Sequence, residues 1–425
     1  MEEKFKLIEQ CYVNSNEDEN CFVGIKLDYK EAKVYFPIGY ELPTTERELR
    51  KDILHLISIL AEFSKPKYKT ISIKNNAEKQ LVDFPINAYL QIINYYMENN
   101  GYYIEKESRH KKSNTGNINW SLTVKKQNPL IQRNGSLVFT EYIVRNSSPN
   151  DTNLITQINK YCVYESFNKL GWIFTAFIPE RPLLQKNYKI FLSVLYDKLR
   201  NTNNEKDKQL FLAMIEMIEF IDEKNDQQQI YYGTNHFEYV WEKLIDKAFG
   251  IKDKQKYFPK TRWLLKNDKN KINVSLEPDS IMIYNNKIYV LDAKYYRFGI
   301  TGNPNHLPQS SSINKQITYG EYIYINKELK KQYGENISVY NAFIIPYNKA
   351  NNRFDSDELY LNIGEATGDW KIKGLSYERI QGIVIDIRFL MYNYTSKVNN
   401  EIKRLAEAIE SGFKDNKEIQ NTTLK

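Results

Sequence analysis

The sequence predicts an α+β protein of more than one domain, with a mixed α/β N-terminal region ahead of a C-terminal α/β domain whose mixed sheet is flanked by helices. Three observations carry this. The 425 residues suffice for two or three domains, each with its own core. In the second half, apolar and β-branched runs at Ser280–Tyr284, Ile288–Leu291, VYNAFIIPY and GIVIDIRFL alternate with stretches of helical period. The charged and amide-rich segment Asp222–Gln229 has no apolar anchor, so the chain is divided there. The expected domains are 1–222, 230–395, and a C-terminal helix with a polar tail over 396–425.

In chain order, β-like segments at Cys21–Leu27 and Lys33–Pro37 precede a helix from Thr45 to Phe63. Thr45 is its N-cap, and Ile53, Leu54, Leu56, Ile57 and Leu60 form one apolar face; His55 beside them reads as a core-flanking or solvent side chain rather than a catalytic base. The helix INAYLQIINYYMEN ends at Asn100-Gly101. Between Lys106 and Arg133, seven lysines and arginines face one acid, Glu107. Lys111, Lys112, Lys125 and Lys126 there are candidates for phosphate contact and Trp120 for stacking on a base, against the favoured reading of a solvated loop around a core tryptophan. A further helix ends near Gly171, making Leu170, Trp172 and Phe174 core candidates. Two more helices flank a hydrophilic break at Arg200–Lys208.

Composition narrows the function. Hydrophobic residues at 41% and charged residues at 27% are those of a globular protein, and a net charge of +7 suits a polyanionic partner. Cys11, Cys21 and Cys162 have neither zinc-ligand spacing nor the even count of a disulfide framework, which points to a reducing cytoplasm. MEEKFKLIEQ lacks the pattern of a leader, and no apolar run reaches the roughly 18 residues of a membrane span, so a soluble, intracellular chain with no membrane partner is expected.

The chemistry gathers in SLEPDSIMIYNNKIYVLDAKYYR, Ser275–Arg297. Asn285-Asn286 tolerates the positive φ of a two-residue turn, so Tyr284 pairs with Lys287 and Ile283 with Ile288. Counting outward sets Asp279 opposite Asp292 on one face, with Lys294 sharing that face. Ile281, Ile283, Ile288 and Val290 mark the face as buried, and two buried carboxylates call for a cation. Mg²⁺ takes one or two carboxylates and keeps its waters, and Lys294 is then placed to orient an attacking water. In the preceding helix, capped by Thr234 or Asn235, Glu238 and Glu242 are candidates for a third acidic ligand. After a Gly/Pro/Asn/Ser loop whose His306 is not expected to bind metal, a helix brings Lys315, Gln316 and Tyr319 toward the same end of the sheet.

This order resembles the PD-(D/E)xK nuclease superfamily at Pro278-Asp279 and Asp292-Ala293-Lys294, with Glu238 or Glu242 as the helix acid and Gln316 as the later polar residue. More narrowly, YGTNHFEYVWE, PDSIMIYNNKIYVLDAKYYR and INKQITYGEYI, with GNINWSLTV and LGWIF upstream, resemble the LlaJI restriction endonucleases, which are similar to McrC. The resemblance implies Mg²⁺ with Mn²⁺ as substitute, metal on Asp279, Asp292 and Glu238 or Glu242, and catalysis by Asp279, Asp292, Lys294, one glutamate and Gln316. DNA contact is assigned to Lys111, Lys112, Lys125, Lys126 and Lys315. It further implies a restriction endonuclease activated by a McrB-like AAA+ GTPase that docks on the N-terminal half, with a homodimer also open. Two alternatives are a stand-alone enzyme whose N-terminal half reads DNA and a non-catalytic coupling subunit.

Overall fold

The computed structural model describes residues 6–17, 20–27, 32–63, 84–175, 177–223, 230–266, 271–272, 275–371, 374–395 and 399–422. The chain forms two compact units, one of Met1–Val82 with Tyr231–Lys425 and one of Asp83–Ile230.

The first unit begins with β1 (Cys11–Val13), β2 (Val23–Leu27), β3 (Ala32–Phe36) and α1 (Glu46–Phe63). Thr45 caps α1 by accepting from Glu48 N (3.3 Å) and donating to the Glu48 carboxylate (3.0 Å). Ile53, Leu56, Ile57 and Leu60 are buried as their spacing predicts, while Leu54 is half-buried.

The second unit contains α2 (Ile86–Glu98), β4 (Lys106–Ser113), β5 (Asn117–Ile118), α3 (Trp120–Lys126), β6 (Leu130–Ile131), β7 (Leu137–Val138), β8 (Tyr142–Pro149), α4 (Leu154–Leu170), α5 (Tyr188–Asn201) and α6 (Glu205–Glu223). Its core is helical, with Ile92, Ile158, Phe167, Leu195, Met214 and Ile218 all buried. Beside it stands a sheet of order β4-β8-β5. Trp120 is not in a core. It is 54% exposed and meets Tyr142 edge-on at 5.5 Å. In the two turns of α3 the inward position goes to Thr123, whose hydroxyl accepts from Ile143 N at 3.0 Å. Likewise Leu170 and Ile173 are buried, whereas Trp172 and Phe174 are only half-buried. The expected break at Arg200–Lys208 shrinks to 202–204, because α6 starts at Glu205.

The first unit resumes with β9 (Ile230–Thr234), which completes a sheet of order β1-β3-β2-β9. Glycine is required where β2 and β9 meet: a Cβ on Gly24 would lie 2.2 Å from Tyr232 O, and one on Gly233 would lie 2.2 Å from Val23 O. Next come α7 (Phe237–Phe249), β10 (Arg262–Trp263), β11 (Lys271–Ile272), β12 (Ser280–Tyr284), β13 (Lys287–Ala293), α8 (Phe298–Thr301), α9 (Ser310–Ile325), α10 (Lys327–Tyr333), β14 (Val339–Tyr347), β15 (Tyr360–Ala366), β16 (Ile380–Asp386), α11 (Ile387–Asn393) and α12 (Asn399–Thr422). The principal sheet is mixed, in the order β12-β13-β14-β16-β15, with β13, β14 and β16 parallel and the two edge strands antiparallel to their neighbours. Ile281, Ile288, Val290 and Val339 pack with Tyr319 and Ile323 of α9 on one face. Lys287 and Tyr289 bond Glu410 of α12 on the other.

Two expectations change. GIVIDIRFL is not one strand, because Asp386 accepts from Phe389 N at 2.7 Å and so caps α11 directly after β16. The division of the chain also differs. Its second boundary falls at the expected segment, of which 224–229 lie outside the described residues, but residues 1–82 and the C-terminal helix belong with the principal sheet. One physical reason is a buried charge: Asp52 of α1 takes two hydrogen bonds from Arg388 of α11, 2.9 and 3.3 Å, and a third from Tyr392.

Candidate active site

The hairpin of β12 and β13 has the register that its turn dictates. Asn285 and Asn286 stand at φ 46° and 61°, Tyr284 pairs with Lys287, and Ser280 pairs with Leu291. One residue further out, Asp279 meets the far end of β13 and accepts a hydrogen bond from Ala293 N at 2.8 Å. Asp292 is 6% exposed, and Lys294 Nζ lies 2.7 Å from its carboxylate. The backbone of Lys294 is pinned in turn, its N–H donating to Ile344 O at 2.8 Å.

Electrostatics follow from this crowding. Burial, the neighbouring Asp292 charge and a hydrogen bond to that carboxylate push Asp279 up to about 8, against the opposing Ala293 N–H. Burial works against the charge on Lys294, yet Asp292 and Asp279 outweigh it and hold the ammonium above its ordinary value. Burial, Asp292 and Asp279 raise the Tyr319 phenol, which donates to Glu277 O at 3.1 Å.

Of the two helix acids, Glu242 is the one whose charge acts on the pair. Burial raises its carboxyl, with Asp292 and Glu238 adding to the rise and Lys243 and Lys294 opposing it. Glu238 is 42% exposed and engages His236 Nδ1 at 2.9 Å. Gln316 is buried, and its Nε2 donates to Val290 O at 2.8 Å, two residues before Asp292. Lys315 is exposed on α9, 5.6 Å over the Tyr319 ring. Lys111 and Lys112 on β4 and Lys125 and Lys126 on α3 are all exposed in the second unit, with Lys112 in a surface pair with Glu141 at 3.3 Å.

Lys254 escaped the sequence reading. Its Nζ donates to Asp279 O and to Asp246 Oδ1, both at 2.7 Å, and so fastens the turn that presents Asp279. A lone lysine outside any periodic element carries no signal of this.

Whether these residues suit a divalent ion is decided by the donor set. Among the described residues no three histidine, cysteine or acidic side chains form a cage. A two-carboxylate site is nevertheless what Mg²⁺ accepts, since it keeps several waters. Asp279 and Asp292 would supply it, two neighbouring carboxylates of which one holds the other's pKa up.

No curated protein matches the chain. A solved half-complex from a tetradecameric assembly of Thermococcus gammatolerans McrB AAA+ hexamers with bound McrC is similar over 90% of this chain and 83% of that one, at 13% identity and a TM-score of 0.36. No helix among the described residues is long and apolar enough to cross a membrane. The LlaJI restriction endonuclease family matches residues 22–363, a span that includes both aspartates, Lys294, Glu242 and Gln316, and the chain belongs to that family.

Proposed function

We propose that the principal sheet of the first unit is a PD-(D/E)xK nuclease centre and that the chain is a Mg²⁺-dependent endodeoxyribonuclease of a restriction system. The observation that carries this is the buried Asp279–Asp292 pair with Lys294 on it, within a restriction endonuclease family. Asp279 and Asp292 would hold the ion, with Glu242 in their field. When bound, Mg²⁺ supplies Lewis-acid activation of water and neutralises phosphate charge. Lys294 remains an ammonium, aimed by Asp292, and donates to the attacking water or to a phosphate oxygen as charge develops there. Gln316 fixes the β13 backbone and Lys254 the Asp279 backbone, so the two carboxylates meet in one geometry.

DNA is the substrate of this reading, and the exposed lysines of β4 and α3 are its contacts in the second unit. A McrB-like GTPase is the activating partner we infer, since no zinc-finger spacing, basic zipper or helix-turn-helix pattern in the sequence accounts for site-specific reading. The test is nicking of supercoiled plasmid by the full-length chain in Mg²⁺ or Mn²⁺, against EDTA and against Asp292→Asn. Metal-dependent nicking absent from the variant is expected, and equal nicking by both proteins would refute the assignment.

A further inference from the structure

Beyond the carboxylates, a cavity of about 300 Å³ lies where β13 leaves the sheet. Its wall includes Asn16, Tyr296, Arg297, His306 and Ser312. Among the described residues that line it none is acidic, whereas the larger groove bordered by β15 and α12 carries Glu358, Glu365 and Glu407. Tyr296 and Arg297 follow Lys294 by two and three residues, and Tyr296 N donates back to Lys294 O at 2.8 Å, so the wall is continuous with the lysine of the proposed centre. Asn16 Nδ2 donates to Tyr295 O at 3.0 Å, tying the N-terminal stretch to the same wall. His306 is fixed through Nδ1, which shares a hydrogen bond with Thr301 Oγ1 at 2.7 Å.

Arg297 already holds an anion. Its guanidinium, 29% exposed, lies 2.6 Å from the Glu17 carboxylate, which is 57% exposed. A pair with one partner so open to water contributes little, while a phosphate offers the same guanidinium more acceptor oxygens and more charge. From the lining and the pairing together, we propose that this cavity is a nucleotide subsite: Arg297 grips the phosphate flanking the scissile one, Tyr296 and His306 wall the attached sugar or base, and Glu17 is a placeholder that the DNA displaces. The proposal rests on the nuclease reading and extends it to the path of the strand.

The probe is thymidine 3′,5′-bisphosphate, titrated calorimetrically into the full-length chain in EDTA. Arg297→Gln should weaken binding about tenfold, the loss expected for one charge-assisted hydrogen bond. His306→Ala should also weaken it, and serves as the second variant should Arg297→Gln not fold. Glu17→Gln should tighten binding severalfold, because a competitor is removed, an outcome that a merely structural ion pair does not give. No binding, or binding indifferent to Arg297→Gln, His306→Ala and Glu17→Gln, would overturn the subsite. A chain that binds the bisphosphate with the expected variant pattern yet never nicks plasmid supports the subsite and sinks the nuclease reading.

Discussion

Asp279 is the residue on which pH should act. Unfolded, an aspartate titrates near 3.9, while burial beside Asp292 lifts the folded group to about 8. Between those values the folded chain keeps a proton that the unfolded chain has released. Metal-free stability therefore falls as pH rises from about 4 to about 8 and levels off above, by on the order of a few kcal/mol. Thermal melts in EDTA across that range check this, and Asp279→Asn should flatten the slope; an equally steep slope in the variant would place the titrating group elsewhere. Added Mg²⁺ should raise the melting temperature most at the alkaline end, where the ionised pair needs it. Lys294→Ala, by contrast, should leave Mg²⁺ binding in place and cut turnover at least about a hundredfold, since its proposed interaction strengthens only as charge develops. Loss of metal binding in the titration would contradict that role.

Among the elements, the hairpin was legible because turn chemistry and strand parity leave one register: two asparagines at positive φ set the pairing, and parity then sets Asp279 against Asp292. Trp120 was not legible, since seven residues of α3 hold too few turns to separate an inward from an outward position, and a polar threonine took the inward one. Nor was the tie between α1 and α11, whose partners stand 336 residues apart in sequence. That tie has a measurable consequence. Asp52 is 1% exposed on its side chain, so Asp52→Ala strips Arg388 and Tyr392 of a shared acceptor and should cost about 3 kcal/mol in denaturant unfolding. A change below about 1 kcal/mol would mean that water replaces the carboxylate. In the second unit, changing Lys111, Lys112, Lys125 and Lys126 to glutamine should lower the slope of log affinity against log salt by about 0.9 for each phosphate that the protein no longer neutralises. An unchanged slope would mark these exposed lysines as solvent-facing only.

At the scale of the whole molecule, the division of the chain decides which truncations can fold. The polar run at Asp222–Gln229 suggested that everything after it stands alone, because a break in hydrophobic pattern marks a boundary but not which earlier segments belong on its far side. The first unit is discontinuous, closed by β1, β2, β3 and α1 from residues before the second unit. A chain beginning near Gln229 would leave β9 without β2, Tyr295 without the Ile38 N–H that donates to its hydroxyl at 2.8 Å, and Arg388 without Asp52. Tyr295 follows Lys294 directly, so the loss reaches the proposed centre. We expect that truncation to be insoluble or to melt without a cooperative transition. The complementary deletion removes residues 83–230 and joins the flanking segments by a flexible linker. It keeps every one of those interactions except the first strand residue of β9, and should melt cooperatively, bind Mg²⁺ and nick plasmid in Mn²⁺, while losing stimulation by a GTPase partner. Circular dichroism melts of the two proteins decide the first half and nicking with and without the partner the second. Cooperative folding of the chain that starts near Gln229 would show that residues 1–82 are an accessory to the sheet rather than part of its fold.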